Sequence, residues 1–231
     1  MIYLDAAATT FQKPSGVAQA VTRAADLGDD GADGGLRAAG SGTLVLGAAN
    51  AFTGPVGAVG ADATLKLGVA GAFSDCVVLE GGTIDLNGQN VTFRSVSGFG
   101  RIVNGNVRVT ESLAVEGEAG ATLAFGGDLT VAAGAYVGVP ISADGTGDQI
   151  NVEGDLVFEG KVGFDLGRYD DNPFDGTPTY VVMTAASIDF SDARLTGYSC
   201  GKGKVSWLSV SSDGKSLVSS ATRKGTCLIV R

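Results

Sequence analysis

The sequence predicts an all-β fold in which short strands stack as the coils of a β-solenoid. Glycine supplies 37 of the 231 residues while 44% of the chain is apolar, a composition that favours short strands joined by tight turns. Apolar and polar residues alternate in runs of four to six, bounded by Gly, Asn or Asp. These runs recur roughly every 20 residues, and strand repeats of that size are typical of stacked coils.

The first residues predict a short strand followed by a helix. Residues 2–4 form an apolar strand candidate, and Pro14 and Ser15 supply a helix N-terminus. The apolar residues that follow recur at helical spacing: Val17, Ala20, Val21, Ala24 and Leu27. We expect this helix to stop at Gly28 and residues 28–41, rich in Gly, Ala and Asp, to form a linker or junction.

The repeats begin at Gly42 with GTLVLGAANAFTG, followed by ATLKLG at 63–68 and GTIDLNGQNVTF at 82–93. Three apolar residues occupy equivalent positions at intervals of 21 and 19 residues, each after a Thr: Leu44, Leu65 and Ile84. We expect six side chains to point inward as aligned ladders: Leu44, Leu46, Leu65, Leu67, Ile84 and Leu86. Asparagines near the corners are expected to form hydrogen-bonded ladders: Asn50, Asn87 and Asn90.

The period loosens past Asp155, so the coils of residues 42–166 are expected to end near Leu166. The tail, residues 167–231, contains further strand candidates and the only tryptophan, Trp207. Ser212-Asp213-Gly214-Lys215 is typical of a hairpin turn. Because an open last coil is a bare sheet edge, this tail is predicted to be a β-rich cap.

Charge and composition exclude several function classes. The net charge is −9 and no basic cluster occurs, so a nucleic-acid partner is not expected. The chain has no His, which removes the commonest general base and zinc ligand. Three cysteines lie far apart without a CxxC and are expected to be small buried residues, with a Cys200–Cys227 disulfide left open: Cys76, Cys200 and Cys227. No apolar run long enough for a transmembrane helix occurs.

The opening MIYLDAAATTFQKPSGVAQAV resembles the N-terminus of pyridoxal-phosphate-dependent cysteine desulfurases of the class V aminotransferase group, over residues 1–27. Ala6 replaces the usual Asn or Ser, and Leu36 stands where a similar Gly-Gly-His-Arg stretch has His. The resemblance implies a cofactor lysine, a histidine stacked on the cofactor and a catalytic cysteine. With no His, and with Lys161, Lys202 and Lys215 in strand-and-turn contexts, we expect no bound cofactor and no desulfurase activity.

The remainder, residues 42–231, resembles the autotransporter-associated β-strand repeat proteins of bacteria. GTLVLGAANAFTGPV is similar to their recurring unit, and YVVMTA…SDGKSLV…RKGTCLIVR is similar to their closing segment. The resemblance implies a right-handed parallel β-helix with a structural or adhesive role, displayed on the cell surface or shed. The ligand is left open, with a glycan or a host or neighbouring cell surface as candidates. No signal peptide is recognised, so a cytoplasmic location is the alternative if Met1 is the natural start.

Three groups of residues are candidate sites, although the sequence assigns no catalytic, cofactor or metal residue. Residues 144–152 partly resemble a calcium-binding nonapeptide, but a single copy favours a solvated corner turn. One loop is acidic enough for a divalent cation, although surface solubility is the favoured explanation: Asp165, Asp170, Asp171 and Asp175. A β-helical polysaccharide-active enzyme is the other alternative, and it needs acids and a base on one face. The relevant residues are scattered in sequence, with arginines expected to face solvent: Asp85, Glu111, Glu116, Glu118, Arg94, Arg101 and Arg108.

Overall fold

The computed structural model is all-β in the residues it describes, which are 34–49, 53–73, 75–141, 147–167, 179–190, 194–196 and 204–223, with two strands at 2–5 and 19–20. In chain order the first ten strands are β1 (Ile2–Asp5), β2 (Gln19–Ala20), β3 (Leu36–Ala39), β4 (Gly42–Leu46), β5 (Val56–Val59), β6 (Ala63–Leu67), β7 (Cys76–Asp85), β8 (Val91–Val103), β9 (Val107–Val115) and β10 (Thr122–Phe125). The others are β11 (Leu129–Val131), β12 (Tyr136–Gly138), β13 (Gln149–Val152), β14 (Asp155–Phe158), β15 (Lys161–Asp165), β16 (Thr179–Thr184), β17 (Ser187–Asp189), β18 (Arg194–Thr196), β19 (Lys204–Val210) and β20 (Ser216–Arg223). The described part of the chain includes no helix long and apolar enough to cross a membrane.

The described strands join into one sheet, and they pair along three parallel ladders. The first ladder runs through β1, β3, β5, the start of β7, the middle of β8, the end of β9, β12, β15 and β18. The second runs through β2, β4, β6, the ends of β7 and β8, β10, β13 and β16. The third begins at the start of β8 and continues through β9, β11, β14 and β17. Within these ladders, each strand therefore lies on the equivalent strand of the preceding repeat.

The predicted apolar ladder is confirmed in the second ladder. Leu44 pairs with Leu65, which pairs with Ile84, and each is at most 9% exposed. The other predicted inward residues are buried as well: Leu46, Leu67 and Leu86. The same column continues through later repeats as Ile102, Phe125 and Val152. In-register stacking thus places apolar side chains above one another, which keeps the core continuous along the repeats.

The first ladder has an equally continuous apolar column. Its paired inward residues are all almost completely buried: Leu36, Val56, Val77, Val96, Leu113, Val137 and Phe164. The burial pattern alternates along strands of this ladder, for example in Leu36–Ala39 and Lys161–Asp165. The period-2 pattern of the sequence therefore marks the inner face correctly.

The N-terminal segment differs from its prediction. The strand is confirmed, since Ile2–Asp5 pairs in parallel with Leu36–Ala39. The prediction of a helix is wrong at the two residues that the structure describes, because Gln19–Ala20 is extended and pairs with Thr43 and Leu44. The edge of β4 offers backbone partners to an extended chain, and these outweigh a short helical pattern. The rest of the predicted helix lies outside the described residues.

The repeats extend beyond both predicted limits. Residues 36–39, expected within a linker, form β3 and bury Leu36 and Ala38. Beyond Leu166, β16, β17 and β18 continue the three parallel ladders. Asn151 and its hydrogen-bond partner Thr184 are 33 residues apart, so the longer interval hides the period in the sequence.

The last two described strands form an antiparallel hairpin on the end of the second ladder. Residues 204–210 pair with residues 217–223, and β20 pairs with β16 where a further parallel strand would otherwise lie. The predicted turn is confirmed, with Gly214 at φ 73°. Backbone carbonyls of this turn accept hydrogen bonds from the segment that follows β16. Ala185 N–H donates to Lys215 O and Ile188 N–H, in β17, donates to Gly214 O, both at 2.9 Å. The hairpin therefore covers exposed strand edges.

Candidate functional site

Asparagines concentrate at the corner where the chain leaves the second ladder and enters the third. Asn87 and Asn104 occupy equivalent places in successive repeats and adopt positive φ, 53° and 59°. Asn tolerates this left-handed conformation better than most residues, so it suits a sharp turn here. An open depression of about 540 Å³ forms at this asparagine corner, lined by Asn87, Gly88, Asn90, Asn104, Gly105 and Asn106.

The carboxylate of Asp85 organises the asparagine corner. Its Oδ1 accepts from the Asn87 backbone N–H at 2.8 Å and from Asn104 Nδ2 at 3.0 Å, while Lys66 Nζ lies 3.0 Å from Oδ2. Burial alone would raise the pKa of Asp85, but hydrogen bonds from Asn104, Lys66 and Asn87 together lower it below its ordinary value. Asp85 is therefore an ionised anchor that joins three repeats.

A second chain of polar contacts runs along the entrance to the third ladder. Asn106 Oδ1 accepts from Asp128 N–H at 2.9 Å, and Asp128 Oδ1 accepts from Asp155 N–H at 2.9 Å. Ser187 Oγ then donates to Asp155 Oδ1 at 2.7 Å. We call these four residues the corner ladder, because each side chain bonds to the equivalent residue of the next repeat.

The predicted asparagine ladders are thus only partly correct. Asn87 and Asn90 do lie at a corner, whereas Asn50 lies outside the described residues. The Asn104 amide donates to Asp85 and the Asn106 amide accepts from the Asp128 backbone N–H, so neither bonds to another asparagine. Asn104 and Asn106 were missed, although a repeated Asn-Gly dipeptide, at 87–88 and 104–105, was the available signal.

Ion pairs across repeats neutralise the arginines that were considered as catalytic bases. The three predicted to face solvent do so, with side chains 46%, 61% and 41% exposed: Arg94, Arg101 and Arg108. Their partners are carboxylates on other repeats, at 3.1 Å for Arg94–Asp75, 3.4 Å for Arg94–Glu111, 3.6 Å for Arg101–Glu153 and 2.7 Å for Arg108–Glu159. Arg37 and Glu80 form a further pair.

These ion pairs stabilise the charged forms of their own members, and none of them is placed to carry out a reaction. The hydrogen bond to Asp75 raises the pKa of Arg94, and the hydrogen bond from Arg108 lowers the pKa of Glu159. Exposed pairs of this kind contribute little to stability, because water and salt screen the two charges. A guanidinium held in this way is a poor proton acceptor, which argues against a lyase-type base.

The predicted acidic residues do not converge. Glu116 and Glu118 are exposed in a turn, whereas Glu111 bonds Arg94 and Asp85 lies at the asparagine corner. The described residues include no group of three or more His, Cys, Asp or Glu side chains placed to hold a metal ion.

The calcium-like segment has a structural role at its described end. Asp148 is buried, not solvated, and its Oδ1 accepts from the backbone N–H groups of Gly120 at 3.0 Å and Ala121 at 2.9 Å. It thereby provides a hydrogen-bond acceptor for two backbone N–H groups in the turn of the preceding repeat. Asp144 lies outside the described residues.

The acidic loop is described only at Asp165, since its other three aspartates lie outside the described residues. Partial burial, and then a hydrogen bond with Asp165, raises the pKa of Tyr136 to about 12. Asp165 Oδ1 is buried and has no hydrogen-bond partner among the described residues. No local motif predicts this pairing, because the stacking of β12 on β15 brings the two residues together.

The cysteine and lysine expectations are partly tested. Cys76 is half-buried rather than fully buried, and its Sγ accepts from Arg94 Nη2 at 2.8 Å, whereas Cys200 and Cys227 lie outside the described residues. Lys161 and Lys215 are exposed on a strand and a turn, as their sequence context predicted, and Lys202 lies outside the described residues.

Taken together, the described residues offer amide donors and acceptors, paired charges and one buried carboxylate oxygen without a hydrogen-bond partner, Asp165 Oδ1. No model of a known protein family matches this chain, and no curated protein matches it either. Its function therefore has to be inferred from the geometry of the ladders and of the asparagine corner.

Proposed function

We propose that this chain is a non-catalytic, right-handed parallel β-helix that acts as a structural and adhesive spacer in a bacterial surface or secreted protein. The observation that carries the proposal is the in-register stacking of equivalent residues, such as Leu44 on Leu65 and Leu65 on Ile84. Stacked repeats bury a continuous core and lengthen the molecule in proportion to their number.

The ladders suit a spacer because their hydrogen bonds run between repeats. The first ladder contains eight successive strand pairings from β1 to β18. At about 4.8 Å per pairing, it spans roughly 38 Å. The corner ladder and the ion pairs of Arg94 and Arg108 add cross-repeat contacts on the outside. Pulling the repeats apart would break all of these contacts together.

The asparagine corner is the surface that we assign to adhesion. Its carboxamides can both donate and accept hydrogen bonds, as sugar hydroxyls do, and the Asp85 carboxylate beside them is already paired with Lys66. A neutral, hydroxyl-rich glycan fits this chemistry, whereas a polyanion would meet a chain of net charge −9.

The spacer proposal is tested by protease resistance of the full chain, and its non-catalytic part by one cofactor-binding assay and one glycan-degradation assay. Val96 lies on the inner face and is fully buried, while its neighbour Ser97 lies on the outer face. We expect V96D to abolish resistance to limited proteolysis, because an unpaired charge would enter the core, and S97D to leave resistance unchanged. Equal sensitivity of both variants would contradict the stacking.

The two enzyme alternatives are tested by activity and binding assays on the same purified full chain. A desulfurase-related protein would bind pyridoxal phosphate and become coloured, and a β-helical lyase would degrade an acidic glycan. We expect neither result. Either one would contradict the non-catalytic assignment while leaving the protease result intact, so the architecture and the activity are tested separately.

A further inference from the structure

Two Asn-Gly dipeptides are stacked at the asparagine corner, at 87–88 and 104–105. Both asparagines are exposed and have positive φ. In such a dipeptide the backbone nitrogen of Gly can attack the carboxamide carbon of Asn, because Gly has no Cβ to obstruct the approach. The two sites have the same local sequence chemistry, so their surroundings decide which one reacts.

The hydrogen bonding of the glycine nitrogens distinguishes the sites. Gly88 N–H donates to Asn104 O at 2.6 Å, which ties up the nitrogen that would attack Asn87. Gly105 N–H has no hydrogen-bond partner among the described residues. The nitrogen that would attack Asn104 is therefore not held by a hydrogen bond, and the only contact of the reacting amide among the described residues is its own hydrogen bond from Nδ2 to Asp85.

A second potential nucleophile lies near Asn104 but is chemically blocked. Asp85 bridges Asn104 Nδ2 and Lys66 Nζ, each at 3.0 Å. Lys66 is held there as an ammonium ion paired with an ionised carboxylate, so its nitrogen has no lone pair for attack. Asp85 meanwhile accepts a hydrogen bond from the nitrogen that would leave as ammonia.

We propose that Asn104 is a site of spontaneous deamidation. The Gly105 nitrogen loses its proton to solvent base and bonds to Asn104 Cγ, and the Cγ–Nδ2 bond breaks as Nδ2 takes a proton from water and leaves as ammonia. Water then opens the resulting succinimide at either carbonyl and gives aspartate or isoaspartate. No oxidant, metal or enzyme is needed.

The modification loosens the corner that it forms in. A new carboxylate would replace the Asn104 donor beside Asp85, so an attractive contact becomes a repulsive one. Isoaspartate also adds an atom to the main chain and shifts the carbonyl that accepts from Gly88. The modified fraction at Asn104 would thus increase with the age of the protein.

Peptide mapping by mass spectrometry of the aged full chain tests the proposal. In mildly alkaline buffer at physiological temperature, we expect Asn104 to deamidate about fivefold faster than Asn87, since Gly88 must first give up one hydrogen bond. Asn90 and Asn106, each followed by Val, are internal controls that should stay unmodified. In urea-unfolded chain the Asn104 to Asn87 rate ratio should fall to near one.

Several results would overturn the proposal. Equal or faster modification of Asn87 in the folded chain would remove the role of the Gly88 hydrogen bond. A ratio unchanged by urea would show that the fold does not select the site. Loss of ammonia from Asn104 with a link to Lys66 would identify the lysine as the nucleophile instead. The variant N104Q, which removes the favoured ring closure, should abolish the signal at position 104 only.

Discussion

Replacement of Gly68 by Ala tests whether the corner of one repeat rests on the backbone of the previous one. A Cβ at Gly68 would lie 2.6 Å from Leu46 O and 3.1 Å from Gly47 Cα. These backbone atoms cannot withdraw without straining the Gly68 N–H to Leu46 O hydrogen bond of 2.9 Å. Overpacking of this kind costs about 1–3 kcal/mol, and the lower entropy of unfolded Ala offsets about 0.4–1 kcal/mol. We expect a net loss of about 1–2 kcal/mol in the free energy of unfolding.

Gly47 provides the matched control, because it occupies the equivalent position one repeat earlier. A Cβ there would meet no described atom within 4 Å. We therefore expect G47A to be neutral or to stabilise by up to about 1 kcal/mol. Urea unfolding followed by circular dichroism would measure both variants, as a lower midpoint for G68A alone. Equal midpoints for G68A and G47A would refute the close approach of the two repeats.

Three further predictions follow from the described contacts. Phe93 is fully buried, so F93A should lower the free energy of unfolding by about 3–5 kcal/mol, whereas T92A, at an exposed neighbouring position, should change it by less than about 0.5 kcal/mol in the same urea assay. D128A should accelerate hydrogen exchange of the Asp155 amide because its acceptor is lost, and D128N, which keeps an acceptor oxygen, should restore protection; identical exchange in both variants would contradict the corner ladder. The pKa of Asp85 is lowered on folding, so its stabilising effect is present above the unfolded pKa of about 3.9 and is lost as pH falls through the folded pKa. The stability difference between the natural chain and D85N should therefore shrink in acid, and a difference independent of pH would contradict an ionised Asp85.

The inner face of the repeats could be predicted from sequence because it depends on local patterns. Alternation identifies which residues of a strand face inward, and the recurrence of Leu44, Leu65 and Ile84 identifies which strands stack. The limits of the stack could not be found in this way. Longer segments between later strands interrupt the period, and the backbone edge of β4 accepts Gln19 and Ala20 despite their helical spacing.

The outer surface was less predictable because its contacts depend on how the repeats are stacked. Arg37 and Glu80 are 43 residues apart and Arg108 and Glu159 are 51 apart, so no local motif connects them. At the asparagine corner the sequence indicated Asn87 but not the bridging role of Asp85, which needs three repeats in contact. The sequence shows which residue types lie on the outer surface, whereas the register between stacked strands determines which of them contact one another.

Distances between spin labels along the second ladder test the central claim most directly. The outward residues Thr43, Ala124 and Thr184 belong to one register column, with Ala124 four pairings and Thr184 six pairings from Thr43. At about 4.8 Å per pairing, pulsed electron–electron double resonance should give roughly 19 Å for the 43–124 pair and roughly 29 Å for the 43–184 pair. Stacked parallel repeats predict this increase of about 10 Å. A 43–184 distance equal to or shorter than the 43–124 distance would contradict the stack.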